Sequence, residues 1–198
     1  MLEQAAQLAA SHAESGRPRY AGPVGSHLRH LIEHWEALVF APQPGWVDYD
    51  ARPRDAALET DPALAQERLM ALRTQLECWD DAQLSTPVQV RGLCGAEGEF
   101  AFEVTSSLGR ELAFVASHAV HHFAWLRLHG LQAGVADGPG FGKAPATLAF
   151  ERQQTAASLG ANGSTGRAGR GQRALRQRES AESISGVELE GTAQPGQR

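Results

Sequence analysis

The chain has little cysteine. Cys78 and Cys94 stand far apart in 198 residues with no CxxC pair, which excludes a disulfide framework and a cysteine zinc site and leaves both expected as reduced thiols. Long apolar runs are missing as well. No stretch approaches the ~20 residues of a membrane span, and the N-terminal MLEQAAQLAASHAESGRPRY lacks the basic start and unbroken apolar core of a secretion signal. A cytoplasmic protein without a membrane partner is the expectation. Positive charge is also in deficit: 18 Lys and Arg face 23 Asp and Glu, a net charge of −5. Nucleic-acid binding, which needs a basic surface to displace counterions, is not expected from such a chain.

Aromatic residues are absent from Glu151 onward, where the sequence runs ERQQTAASLGANGSTGRAGRGQRALRQRESAESISGVELEGTAQPGQR. A stretch this rich in Gly, Ser, Gln and Arg has too little apolar surface to offset the entropy of ordering. The composition therefore divides the chain into a folded domain, 1–150, and a disordered tail, 151–198.

Within the domain, four stretches have helical character. Residues 2–14 are rich in Ala and Leu and stop at Ser-Gly-Arg-Pro. After Gly22-Pro23, Val24, Leu28, Leu31, Trp35 and Leu38 fall on one helical stripe that ends before Pro42. A Pro- and Asp-rich loop follows, and Asp61-Pro62 then reads as N-cap and first helical position of a helix over 62–80, with Leu69, Leu72 and Leu76 on one face. Val88, Val90, Phe100, Phe102 and Val104 alternate with polar residues around a Gly-rich turn, the pattern of a small β-hairpin. The fourth helix, LGRELAFVASHAVHHFAWLRLHG, starts near Thr105-Ser106-Ser107 and stops at Gly130. The fold class these patterns predict is all-α: an antiparallel four-helix bundle with a hairpin insertion before its last helix.

Histidine is where the sequence becomes specific. His118 and His122 are one turn apart on the fourth helix and face the same way, the spacing with which one helix offers two imidazoles to a metal ion, while His121 turns to the flank. The second helix carries His27, His30 and His34 along one flank. Glu111, on the stripe of His118, is a candidate to orient a ligand or to act as a base, with a surface salt bridge as the plainer alternative. Tyr49, Asp50, Arg52, Arg54 and Arg110 are candidates to hold a substrate carboxylate, or simply form a solvated charged loop.

VGSHLRHLIEH, SSLGRELAFVASHAVHHFAWLRLHG and FGKAPATLAF together resemble the DinB/YfiT-like superfamily of metal-dependent four-helix-bundle proteins over about residues 1–150. The resemblance selects His30, six positions after Val24, and the HxxxH pair His118 and His122 as metal ligands, with His27 and His34 as second choices. Glu33 matches the acidic residue that often follows the helix-two ligand. The implied cofactor is a divalent ion, zinc first, then nickel or iron, with a coordination position left open. The resemblance implies low-molecular-weight-thiol-dependent transferase or isomerase chemistry, and with the open metal site the expected activity is that of a metal-dependent enzyme, a thiol-dependent S-transferase or a hydrolase. Its partner would be a small-molecule substrate such as a low-molecular-weight thiol, and its candidate assembly a homodimer. A metal-binding or stress-response bundle without turnover is the alternative. The Arg/Gly/Ser tail departs from the resembling proteins, which stop soon after the equivalent of FGKAPATLAF.

Overall fold

The computed structural model describes residues 1–13, 19–132 and 138–165. It is mostly helical, with one small sheet. Two compact units divide the chain, Met1–Ala149 and Phe150–Arg198.

In the first unit, α1 (Leu2–Ala13) packs on α3 (Pro62–Glu77), α3 on α2 (Pro23–Val39), and α2 on α5 (Leu108–Gln132). Pro23 opens α2, and α3 starts as its sequence predicts: the Asp61 carboxylate accepts hydrogen bonds from the backbone N–H groups of Ala63 and Leu64 at 2.9 and 3.1 Å, and Pro62 stands in the first turn. The apolar stripe of α2, Val24, Leu28, Leu31, Ile32, Trp35 and Leu38, is buried against Leu69 and Leu72 of α3 and the inward face of α5. On α5 that inward face is Val115, Ala119, Phe123 and Leu126. It is turned by about one position from the stripe that His118 and His122 were expected to share, so both histidines sit on its flank and are only half-buried. Phe123 also meets Phe141, whose ring closes the far end of the core at 5.1 Å between centroids.

The hairpin forms over β2 (Pro87–Cys94) and β3 (Phe100–Ser107), antiparallel, with Val90 opposite Val104. The loop after α2 departs from expectation. Trp46–Asp48 is a strand, β1, paired parallel to β2 with Val47 opposite Val90. The sheet is therefore three-stranded and mixed, in the order β1-β2-β3. Three residues are too few for an alternation to show in sequence, and the pairing is nonlocal. Beyond β1, Ala56–Glu59 makes a 3-10 turn, and Asp81–Leu84 forms a short helix, α4, with a capping box between Asp80 and Gln83.

The last helix, α6 (Pro145–Thr165), carries helical backbone over residues 151–165, which composition alone assigned to a disordered tail. The reason is local: ERQQTAASL is made of good helix formers, and residues 151–159 gain helix without burial, since all are exposed. The rest of the expected tail, 166–198, lies outside the described residues. Among the described residues, no helix is long and apolar enough to cross a membrane.

Gly25 sets how closely α2 approaches the 3-10 turn, because a Cβ there would collide with the backbone carbonyl of Glu59. The neighbouring backbone is fixed as well: Gly25 N–H donates to the Tyr20 carbonyl at 2.8 Å, and the Tyr20 hydroxyl donates to the Leu58 carbonyl at 3.0 Å. Gly25→Ala is expected to destabilise the domain by about 1–3 kcal/mol through overpacking, read as a lower urea midpoint at unchanged m-value; an unchanged midpoint would mean that the turn yields freely.

Candidate metal centre

Helices α2 and α5 bring two i, i+4 histidine pairs face to face. His118 Nε2 lies 2.9 Å from His30 Nε2 and 3.1 Å from His122 Nε2, and His122 Nδ1 lies 2.6 Å from His27 Nδ1. Two nitrogens on a tetrahedral zinc with bonds of about 2.0–2.1 Å are about 3.3 Å apart, so two of these spacings are close to what an ion would need. His30, His34 and His118 each offer a ring nitrogen, all within 4.8 Å of one another. The group whose nitrogens all lie close together is thus His30, His118 and His34, the last a second choice from sequence, while His122 reaches His118 at 3.1 Å and His27 at 2.6 Å. The burial of His34, 7% exposed, is one feature the helical pattern alone did not rank.

Each ring has a partner that fixes its orientation. His34 Nδ1 donates to the His30 carbonyl at 2.7 Å, which places its hydrogen on Nδ1 and leaves Nε2 with a free lone pair, the arrangement typical of metal-bound imidazole. On the other side His34 stacks on Tyr49, with ring planes 17° apart. Tyr49 donates to Glu111 Oε2 at 2.8 Å, while Ser106 Oγ and Arg110 donate to Oε1 at 2.6 and 2.7 Å. Glu111 is 0% exposed, so its role is to anchor Tyr49 against the histidine layer. The salt bridge expected from sequence is present, from exposed Arg110, but it ends on a carboxylate that is itself buried. His27 stacks on Trp125 at 4.4 Å between centroids, and Trp125 stacks in turn on His129. His121 is exposed, on the flank.

Burial is the main force on the titration of these rings. It pushes His30 down to about 3, with His34, Arg52 and the other rings adding to the effect. It pushes His34 and His122 down to about 4; the carbonyl partner of His34 opposes that shift in part, and neighbouring His118 adds to that of His122. His27 and His118 are lowered by burial as well. Burial therefore pushes all five rings toward the neutral form, which is the protonation state that ligates. A donor set of neutral imidazole nitrogens suits zinc, nickel or iron rather than magnesium or calcium.

The loop residues divide in their roles. Arg52 NH1 donates to His30 Nδ1 at 2.8 Å and its Nε donates to the Tyr49 carbonyl. Asp50 accepts from the Leu93 backbone N–H at 2.7 Å and holds the loop to β2. Arg54 adopts a left-handed backbone at φ 55°. Glu33, which sequence marked only through a resemblance, is 1% exposed and accepts from the Asp55 N–H at 2.7 Å. Glu33 and Arg52 also line a cavity of about 470 Å³ walled by Phe40, Trp46, Arg68 and Arg91.

No family model matches this chain, and no solved structure matches it. Among curated proteins it is similar to FK506-binding protein 5 of Rhizopus delemar, 31% identical over 108 residues. The match covers 54% of this chain and 28% of that protein, so the chain spans well under a third of its relative's length.

The lowered histidines make a pH prediction. Their unfolded value is near 6.5 and their folded values lie below it, so the unfolded state binds more protons between those limits. In chelator-treated protein, stability should hold above about pH 6.5 and fall as pH drops toward 4, followed by urea unfolding at stepped pH. His34→Gln should flatten that slope; a slope unchanged by the substitution would show that the buried rings do not govern it.

Proposed function

We propose that this chain is a metal-dependent enzyme built as a DinB-like antiparallel four-helix bundle, with a divalent ion, zinc first, held by His30, His118 and a third imidazole. The observation that carries the reading is the convergence of neutral imidazole nitrogens from two facing helices, with His118 Nε2 within 2.9 Å of His30 and 3.1 Å of His122. The third ligand is His122, from the HxxxH spacing, or His34, from its free Nε2 and its place within 4.8 Å of the other two. A zinc ion bound by three histidines supplies Lewis acidity that favours the deprotonated form of a water or thiol.

The chain's own residues would do the rest. Tyr49, anchored by Glu111, walls one side of the histidine layer. Arg52 touches His30 and lines the 470 Å³ cavity, which places a guanidinium where a substrate carboxylate would be recognised. Substrate entry through the 42–53 segment suits an S-transferase acting with a low-molecular-weight thiol, or a hydrolase. A second reading, a non-catalytic ion that staples the bundle, is favoured by the fourth imidazole: if His34 and His122 both ligate, the shell is closed and of the structural type.

Cobalt substitution separates these readings. Three-histidine ligation predicts that millimolar glutathione or cysteine produces thiolate charge-transfer bands, that His118→Ala abolishes them, and that exposed His121→Ala leaves them nearly intact. His34→Ala and His122→Ala identify the third ligand, since only its loss should weaken zinc binding by an order of magnitude or more. No thiol response, combined with metal-dependent cleavage of an ester panel, would favour the hydrolase. Silence in both assays, with both variants losing zinc, would leave the staple as the better account. Absence of stoichiometric zinc in the wild type would end both.

A further inference from the structure

The hydrogen bond from Arg52 to His30 is incompatible with ligation by His30. A guanidinium only donates, so at 2.8 Å from Arg52 NH1 the His30 Nδ1 presents its lone pair and the ring hydrogen sits on Nε2, the nitrogen 2.9 Å from His118. If Nε2 binds an ion, the hydrogen must move to Nδ1, and two donors then point at each other. If Nδ1 binds, the ion takes the lone pair that Arg52 uses. Arg52 has to let go in either case.

A destination stands beside it. Glu33 is 1% exposed; its Oε1 accepts from the Asp55 N–H, whereas its buried Oε2 has no hydrogen-bond partner among the described residues. That orphaned oxygen lies 3.9 Å from the same Arg52 NH1. A shift of about 1 Å would convert the pair into a charge-assisted hydrogen bond of ordinary length, satisfying an acceptor that is costly to leave bare. Asp55 holds Glu33 in place during the shift, and Arg52 has little freedom to go elsewhere because its side chain is only 13% exposed.

We propose that Arg52 is a positioning residue that changes partner with metal loading, leaving His30 Nδ1 for Glu33 Oε2 when His30 ligates. The proposal rests on the three-histidine reading above. Because Arg52 and Glu33 both line the 470 Å³ cavity, loading the ion closes an ion pair in that cavity's wall and couples the metal centre to whatever the cavity binds.

Zinc affinity measured against a chromophoric chelator tests the exchange in a double-mutant cycle. Glu33→Gln should weaken zinc binding at least ten-fold in the wild-type background, because the loaded state loses the new acceptor. In an Arg52→Met background the same substitution should change affinity less than three-fold. Equal losses in both backgrounds would assign Glu33 a merely structural role and overturn the proposal, as would no loss in either. A second measurement needs no variant at Glu33: the guanidinium ¹⁵N–¹H resonances of Arg52, assigned through Arg52→Met, should shift in proportion to zinc occupancy in the wild type. Zinc binding with those resonances unmoved would overturn the exchange and leave the metal centre standing, whereas failure to bind zinc at all would remove both.

Discussion

Imidazoles drawn partly out of water are pushed toward the neutral form and need hydrogen-bond partners, a constraint met along the α2–α5 interface. Four rings on two helices supply one another with donors and acceptors. Arg52 donates to His30 Nδ1, which puts the His30 hydrogen on Nε2 and aims it at His118 Nε2, while His122 lies 3.1 Å from that nitrogen on one side and 2.6 Å from His27 Nδ1 on the other. No charge is needed anywhere along the imidazole chain, which agrees with the direction in which burial pushes every one of these rings. The apolar face of α5, Val115, Ala119, Phe123 and Leu126, packs in the core, and His118 and His122 lie on its flank toward α2.

Around this layer the buried carboxylates act as carpentry. Glu111 fixes Tyr49, and Glu33 fixes the backbone at Asp55, so both ends of the 49–55 segment are tied to side chains that are almost wholly out of water. Burying a carboxylate is costly unless donors surround it. Glu111 is fully supplied, by a hydroxyl, a phenol and a guanidinium, whereas Glu33 is supplied on one oxygen. The difference marks Glu111 as framework and Glu33 as the acceptor still open to a new donor.

The helices α1, α2, α3 and α5 and the hairpin were legible in the sequence because each carries its own period and its own punctuation: the stripe from Val24 to Leu38, the Asp61-Pro62 start, the alternation from Val88 to Val104. So was the approach of His118 to His30 across the two helices, since i and i+4 spacing is a property of one helix and a facing His-bearing helix is easily found. What escaped was set by tertiary contact. β1 is three residues long and depends on a partner more than forty positions away. The claim of His34 on the site depends on a carbonyl of its own helix and a tyrosine from the loop. The burial of Glu33 and Glu111 was invisible because charge reads as surface until the donors around it are known. The helical start of the expected tail escaped for the opposite reason, being a matter of local propensity where the composition was weighed for burial.

The parallel pairing of β1 with β2 also bears on the order in which the molecule is assembled. Trp46 meets Gln89 and Asp48 meets Arg91, so the segment carrying Tyr49 and Arg52 is closed by contacts across a long stretch of chain. Closing such a loop costs entropy that is recovered only when its partner already exists. The hairpin, whose strands are neighbours in sequence, supplies that partner. The segment that walls the histidine layer is therefore held by a partner strand formed elsewhere in the chain, and its closure depends on that strand being in place.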